Sequence, residues 1–417
     1  MNGKRRLKMK QLTRLFIPIC LETLFYMLSG MVDTLMLSAV GDYAVGAVGT
    51  ANSYIGIFII MFSIISSGMV SVMTQNIGAG RPGVAYQARQ LGLLFNAVAG
   101  VLMAVFLFSG AGAILRMVGI ADALYEPALI YLKIVGGGCI LNAVIPIFSS
   151  YLRAFGYTKQ PLYATIVGNI ANFVMNAVFL FVLHKGVAGV AAATVISKIL
   201  NLCIVLYFSH KLISAKNSTE RIANKTVLGQ IVKVGLPSAC ETALYNVAMM
   251  LVIRFLNQMD AEGLNVTARS YTATISNFSY CVGAALAQAN AIMTGWHIGA
   301  GELEECDRGT KRAAFVGVCV AVCMETAIVL GSGFIMPLFT DNPEMTALVR
   351  KLLAIDIVLE IGRVTNLVFG QALKTSGDAV FPAVIAAVFM FVFAVGGTWL
   401  FGISMGLMAV GAYIGLA

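Results

Sequence analysis

Residues 18–26 read Pro-Ile-Cys-Leu-Glu-Thr-Leu-Phe-Tyr, and residues 237–245 read Pro-Ser-Ala-Cys-Glu-Thr-Ala-Leu-Tyr. Both segments fit the pattern P-x-x-x-E-T-x-x-Y, and the second begins 219 residues after the first. Self-similarity at a fixed offset indicates an internal repeat. Each copy lies within a long apolar stretch, so the chain is predicted to consist of two related halves.

Three further pairs of segments support the repeat, at offsets of 220 or 221 residues. The pairs are 73–80 with 293–301, 152–161 with 373–382, and 186–190 with 406–410. Four matches in the same order and at nearly one offset would hardly arise by chance. The repeat therefore organises the whole chain and not a single motif.

The composition is that of an integral membrane protein. Of the 417 residues, 59% are hydrophobic and only 11% are charged, and the mean hydropathy is +0.87. A soluble domain is about 45–50% apolar and about 25% charged. These values exclude a soluble enzyme, a nucleic-acid-binding protein and a disordered chain. The net charge of +9 is then explained by Lys and Arg in cytoplasmic loops.

Twelve apolar stretches are candidate transmembrane helices, since about 20 apolar residues span a bilayer. They cover residues 12–38, 47–74, 89–114, 125–150, 162–183, 187–209, 229–257, 268–295, 311–337, 345–372, 381–402 and 406–417. Helices are expected because a spanning backbone must satisfy its own hydrogen bonds, and the alternating pattern of a barrel is absent. The last stretch is shorter than its repeat counterpart, which predicts a truncated twelfth helix.

The repeat offset covers six spans, an even number, so the two halves are predicted to run in the same direction through the membrane. The predicted fold is all-α: an N-lobe at 1–209, a cytoplasmic linker at 210–228 and a C-lobe at 229–417. Parallel six-helix repeats of this kind are used by transporters. Most of the 28 Lys and Arg residues fall on one side if the N-terminus is cytoplasmic, which favours that orientation.

Several motifs, taken in order, resemble the multidrug and toxic compound extrusion (MATE) family of bacteria and archaea. They are the proline-bearing first span with Gly30-Met-Val-Asp-Thr34, Gly78-Ala-Gly80, Gly156 with Pro161, the Asn-rich fifth span and Gly186-x-x-Gly-Val-Ala191. The resemblance covers nearly the whole chain. The major facilitator fold has the same helix count, but its acidic-basic loop signature is missing, since residues 80–86 contain no acid.

The resemblance implies a secondary active multidrug exporter, an antiporter that moves xenobiotic substrates out of the cell by alternating access. The coupling ion is expected to be H⁺ or Na⁺, with no other cofactor and no enzymatic activity. The expected partners are small cationic, amphipathic molecules and the lipid bilayer, not nucleic acid. A monomer in the inner (plasma) membrane is expected, multi-pass and with a cytoplasmic N-terminus.

Asp33 lies past the middle of the first span, where an ionisable group is costly and is by default functional. By the resemblance, Asp33 is the coupling-ion site. Independently, poor solvation disfavours the charged carboxylate, so such a group can bind and release a proton near neutral pH.

Asn172 and Asn176, spaced i,i+4, share one face of the fifth span. In relatives with a cation site in this lobe, the second position is Asp, and a Thr corresponding to Thr194 completes the site. The replacement by Asn176 removes a negative charge, which favours protonation of Asp33 over direct Na⁺ binding. The Asn side chains alternatively serve as hydrogen-bonding contacts between helices.

Glu22 and Glu241 are repeat-related and lie four residues after a proline. Two carboxylates at the same depth are predicted to face a shared central cavity and to bind a cationic substrate, together with Tyr26 and Tyr245. The alternative is that each acid bonds to the backbone carbonyls that the proline leaves without partners.

The tenth span carries Asp356, Glu360 and Arg363. By resemblance to members with a glutamate on the seventh span and an aspartate on the tenth, Glu241 with Asp356 or Glu360 forms a second cation site. Oxygen ligands of this type suit hard cations. The alternative is a structural pair between Glu360 and Arg363, spaced i,i+3.

Other functions fit less well. A lipid-linked oligosaccharide flippase of the wider superfamily would need a cationic cavity for pyrophosphate, whereas the predicted cavity is acidic. A membrane enzyme would need clustered catalytic groups, but the three His residues are scattered. An ion channel would need a filter motif. No phosphate-binding loop is present, so ATP hydrolysis by this chain is not expected.

Overall fold

A computed structural model describes residues 2–118, 120–213, 220–259 and 263–417. Nearly all of these residues are helical, and no strand occurs among them. The predicted all-α fold is confirmed. The chain divides into two compact units, Met1–Leu236 and Pro237–Ala417.

The helices of the first unit begin at the N-terminus and are numbered in chain order. They are α1 (Asn2–Ser38), α2 (Asp42–Gly78), α3 (Pro82–Val118), α4 (Asp122–Gly137), α5 (Cys139–Ala154), α6 (Lys159–Ala177) and α7 (Gly186–Leu212). The π-helical segment Val178–Val182 continues α6. Helix α8 (Asn224–Met259) contains the boundary between the units at Pro237.

The second unit contains five further α-helices. They are α9 (Leu264–Gly299), α10 (Leu303–Ile335), α11 (Pro343–Ser376), α12 (Val380–Phe389) and α13 (Met408–Leu416). The π-helical segments Met390–Val395 and Thr398–Ser404 extend α12. A π-helical segment thus precedes the last helix of each unit, as the repeat predicts.

Eight of the described helices are long and apolar enough to cross a membrane, and the bent pair α4–α5 makes a ninth candidate. The other predicted spans are α9 and α11, which are long but richer in polar residues, and the short α13. The predicted span 125–150 is bent by 42° between α4 and α5. The bend falls at Gly138, where a β-carbon would lie 3.1 Å from Val195 Cγ2.

The backbone conformation repeats along with the sequence. Glycines with positive φ occur in related pairs: Gly41 with Gly263, Gly80 with Gly301, Gly156 with Gly377 and Gly186 with Gly406. Gly80 and Gly301 follow α2 and α9 and have φ of 73° and 76°, a left-handed conformation that is common after a helix and strongly favours glycine. The turns of the two units are therefore built in the same way.

The first unit extends to Leu236, beyond the boundary predicted at residue 209. Val227 and Ile231 of α8 are fully buried in its core, and the Gln87 amide holds the start of that helix. Gln87 Nε2 donates to the Ile222 carbonyl at 2.7 Å and Gln87 Oε1 accepts from the Ile222 amide at 3.2 Å. Residues 214–219 of the predicted linker lie outside the described residues.

The start of α8 crosses α2 at backbone contact distance. A β-carbon on Gly68 would collide with the Ile231 carbonyl, and one on Gly235 would collide with the Ile64 carbonyl. Because both obstacles are backbone atoms, no rotamer change can relieve the overlap. Small residues at a helix interface allow this close approach within a membrane.

Gly68→Ala is therefore expected to lower the stability of the protein by about 1–3 kcal/mol, the usual cost of overpacking a close contact. Thermal unfolding of the purified protein in detergent measures the change. Gly56→Ala on the same helix is the matched control, because a β-carbon added to Gly56 would have no neighbouring atom within 4 Å. Equal melting temperatures for the two variants would show that the crossing is not tight.

Candidate functional site

The structure brings Asp33 of α1 together with the two asparagines of α6. Asn176 Nδ2 donates to Asp33 Oδ1 at 2.7 Å and to Asn172 Oδ1 at 3.1 Å. Both asparagines are buried, whereas Asp33 is partly buried. The i,i+4 spacing on α6 aligns the two amides, so α6 presents a continuous polar row to α1.

Asn176 has one free hydrogen-bonding atom in this row. Its Oδ1 is buried and has no hydrogen-bond partner. An amide oxygen in this position can accept a hydrogen bond from a protonated carboxylic acid. The Asp33–Asn176 pair can thus form hydrogen bonds with either protonation state of the aspartate.

Thr194 of α7 is not in the same row. Its hydroxyl donates to the Val190 carbonyl of its own helix at 2.9 Å, and Ser197 Oγ accepts from Asn172 Nδ2 at 3.5 Å. Thr194 instead interacts with the buried Tyr131, whose hydroxyl is 3.3 Å from Asn52 Oδ1. The sequence prediction that Thr194 completes the asparagine pair stays a prediction.

Lys198, one turn beyond Thr194, is the cation near this row. Its Nζ donates to Asn142 Oδ1 at 2.8 Å, and it interacts electrostatically with Asp33. From the sequence alone, this lysine could equally have pointed to water. In the structure its charge offsets that of the aspartate.

Glu22 has a cationic partner in its own unit. Arg153 Nη2, near the end of α5, lies 2.6 Å from Glu22 Oε1, and Thr165 Oγ1 is 3.5 Å from the same oxygen. The side chains of both Glu22 and Arg153 are largely buried. The glutamate is thus neutralised by an arginine and does not bond to the carbonyls freed by Pro18.

Glu241 has the equivalent partner in the second unit. Lys374 Nζ, near the end of α11, lies 2.8 Å from Glu241 Oε2. Because Arg153 and Lys374 occupy the same place in the repeat, the two units carry the same acid–base pair. Neither glutamate is a free carboxylate awaiting a cationic substrate, which corrects the sequence interpretation on this point.

The predicted group on α11 is present and is larger than expected. Arg363 Nη1 contacts Glu360 Oε1, and Arg363 Nη2 lies 3.6 Å from Asp356 Oδ1. Glu325 of α10 joins Asp356 and Glu360, with one oxygen of each within 4.8 Å of the others. The partner of these acids is Glu325 and not Glu241, whose ion pair is with Lys374.

The two tyrosines of the repeat lie beside these groups. Tyr26 is 70% exposed and interacts electrostatically with Tyr131, while Tyr245 is 48% exposed and interacts with Arg363. Their exposed rings leave them open to a ligand, but their assignment as substrate contacts stays a prediction.

Comparison with known proteins places this geometry in a family. A sequence model of the MatE family matches residues 18–178 and again residues 237–412, so its two matches begin 219 residues apart. The "Uncharacterized transporter YisQ" of Bacillus subtilis (strain 168) is 32% identical over 403 residues, covering 95% of this chain and 88% of that protein.

Solved structures share the fold. An outward-facing multidrug resistance MATE family transporter of the MOP superfamily aligns with a TM-score of 0.89, at 20% identity over 98% of this chain and 92% of that one. A MOP superfamily transporter from Pyrococcus furiosus aligns with a TM-score of 0.88, at 20% identity and the same coverage. At this identity the likeness establishes the fold alone.

The repeated helical units and the apolar spans define a multi-pass membrane transporter. The family match covers most of both units, and the chain belongs to the MatE family. The resemblance inferred from the sequence motifs is confirmed.

Sequence reasoning missed several side chains of these groups. Arg153 and Lys374 were visible in the repeat itself, each three residues before a glycine, so the repeat carried a signal for both pairs. Tyr131 and Glu325 carried no such signal. Each is a single residue whose neighbours come from distant parts of the chain.

Proposed function

We propose that the protein is a secondary active exporter that exchanges organic cations for protons by alternating access. The observation that supports this most is the Asp33–Asn176–Asn172 row, in which one carboxylate meets only neutral amides. A lone acid shielded from water is suited to take up and release a proton. The chain belongs to a family of membrane transporters, and a MATE relative of the same fold is described as a multidrug resistance transporter.

The choice of ion follows from charge. Na⁺ binding at this row would rest on a single carboxylate, because Asn176 stands where related cation sites have an acid. Lys198 interacts with the same aspartate and already supplies positive charge. Both features favour H⁺ over Na⁺ as the coupling ion, with Na⁺ as the second candidate.

Coupling requires the proton and the substrate to bind the two conformations of the transporter differently. In the proposed cycle, protonation of Asp33 favours release of the cationic substrate to the outside. We place the protein in the plasma membrane as a monomer with a cytoplasmic N-terminus, following the distribution of Lys and Arg.

The flippase alternative gains no support from the basic side chains. Arg153 and Lys374 are each engaged by a carboxylate, so neither is available to bind a pyrophosphate group. Organic cations remain the favoured substrate class.

Transport in liposomes tests the proposal. Purified protein is reconstituted, loaded with a fluorescent cationic dye, and exposed to an imposed pH gradient or to a Na⁺ gradient at constant pH. We expect dye movement against its own gradient under the pH gradient, abolished by a protonophore and absent in protein-free liposomes. Movement under the Na⁺ gradient alone would assign the coupling to Na⁺, and movement under neither would contradict cation antiport.

A further inference from the structure

Three carboxylates meet in the interior of the second unit. Glu325 comes from α10, and Asp356 and Glu360 come from α11, one helical turn apart. Their exposed fractions are 0%, 2% and 0%. One oxygen of each lies within 4.8 Å of one oxygen of the other two. Buried carboxylates at this distance repel one another strongly unless positive charge is supplied.

Arg363 supplies only part of that charge. Its guanidinium contacts Glu360 and approaches Asp356, so three ionised carboxylates would face one cation. Buried charges are normally paired, because leaving one unpaired away from water is expensive. With all three acids ionised, the cluster has room for two further positive charges.

The oxygen atoms of the cluster are also short of hydrogen-bond donors. Both oxygens of Glu325, Oδ2 of Asp356 and Oε2 of Glu360 are buried without a hydrogen-bond partner. Buried polar atoms are almost always satisfied, and an exception calls for an unseen water or ion. Four such atoms in one cluster point to a ligand that accepts electron pairs from oxygen.

A neutral oxygen belongs to the same place. Ser276 of α9 interacts with Glu325; its side chain is 4% exposed and its Oγ makes no hydrogen bond of good geometry. Ser276 is not an acid and comes from a third helix, so it is an observation separate from the carboxylates. Helices α9, α10 and α11 pack against one another, which holds the four side chains on rigid elements.

We propose that Glu325, Asp356, Glu360 and Ser276 form a binding site for a hard metal cation within the second unit. Carboxylate and hydroxyl oxygens are the ligands that such ions prefer. Oxygens within 4.8 Å of one another leave room for a central ion at about 2.4 Å from each, the range of Ca²⁺ ligands. Mg²⁺ fits poorly, since it keeps several waters and demands shorter, octahedral contacts.

Na⁺ and Ca²⁺ are the two sources of this chemistry that the test separates. The inference does not depend on the proposed export function, because binding is measured without transport. Glu325 is the deciding residue: it is the one carboxylate of the three that has no contact with Arg363 among the ion pairs of the described residues.

The full-length protein, purified in detergent with choline as the only other cation, is titrated with NaCl or CaCl₂ at constant ionic strength. The melting temperature and binding of radioactive ²²Na⁺ or ⁴⁵Ca²⁺ are recorded. We expect one of the two ions to raise the melting temperature saturably and to be retained by the protein. Glu325→Gln should weaken binding roughly tenfold to a hundredfold, and the milder Ser276→Ala should weaken it in the same direction.

Two control variants make the result specific. Glu304→Gln lies on the same helix as Glu325, but its side chain is 85% exposed, so it should bind like the unmodified protein. Asp33→Asn should also retain the ion, which separates this site from the proton site proposed in the first unit. Absence of saturable binding for both ions, or equal binding by Glu325→Gln, would overturn the proposal and leave a network neutralised by protons.

Discussion

Asp33→Asn is expected to abolish pH-driven export while the protein still folds and inserts. An amide has nearly the shape of the carboxylic acid but cannot bind or release a proton, so the proton no longer distinguishes the two transport states. Coupling free energies of transport and binding proteins correspond to factors of about 5–150, and we expect the loss of export to fall in this range. Dye efflux from liposomes under a pH gradient measures it.

Two comparisons make the Asp33 result interpretable. Asp307→Asn removes a carboxylate whose side chain is 59% exposed in a pair with Lys311, and should export at the normal rate. Folding of Asp33→Asn is checked by its melting temperature, which should stay close to that of the unmodified protein. Normal pH-driven efflux by this variant would remove Asp33 from the mechanism.

Arg153→Met is expected to destabilise the protein by about 3–5 kcal/mol, because it leaves Glu22 buried without its cationic partner. The Glu22→Gln/Arg153→Met double variant should recover most of that loss, since no charge is then left unpaired. In the second unit, Lys374→Met should behave alike and Glu241→Gln/Lys374→Met should be rescued. Unfolding of the purified proteins in detergent measures all four.

The matched control for these pairs is Arg308→Met. Its partner Glu304 is on the same helix and both side chains are more than half exposed, at 52% and 85%. Exposed pairs contribute about 0–1 kcal/mol, so this variant should be nearly neutral. If the double variants are no more stable than Arg153→Met and Lys374→Met alone, the charges are not what the pairs contribute.

The architecture could be predicted from the sequence because it rests on local and periodic signals. Apolar stretches indicated the helices, and one offset indicated the two units, their matching turns and the paired π-helical segments. The boundary at Pro237 could not be predicted in this way. It depends on Val227 and Ile231 packing into the first unit, which is a tertiary contact within a helix that is continuous in sequence.

The candidate site was predicted in part for a similar reason. Asn172 and Asn176 share a helix face by spacing alone, and Asp33 was recognised by its depth in a span. Glu22 and Arg153, by contrast, are 131 residues apart, and only the repeat links them to Glu241 and Lys374. An acid predicted to await a ligand was already paired within its own unit.

Glu325 shows where sequence reasoning stops. It is a single acid in an apolar helix, with no periodic partner on that helix and no counterpart emphasised by the repeat. Its meaning comes from Asp356 and Glu360 on the neighbouring helix, which only the packing of α10 on α11 brings within reach. The result moves the predicted second cation site away from Glu241.

The central claim is that a proton on Asp33 and a cationic substrate compete through the same carboxylate-bearing unit. Proton release on substrate addition, followed with a pH indicator in weakly buffered detergent solution, tests this most directly. The unmodified protein should release protons in proportion to bound substrate, and Asp33→Asn should bind substrate without releasing any. Equal proton release by both proteins, or none from the unmodified protein at saturating substrate, would contradict the account.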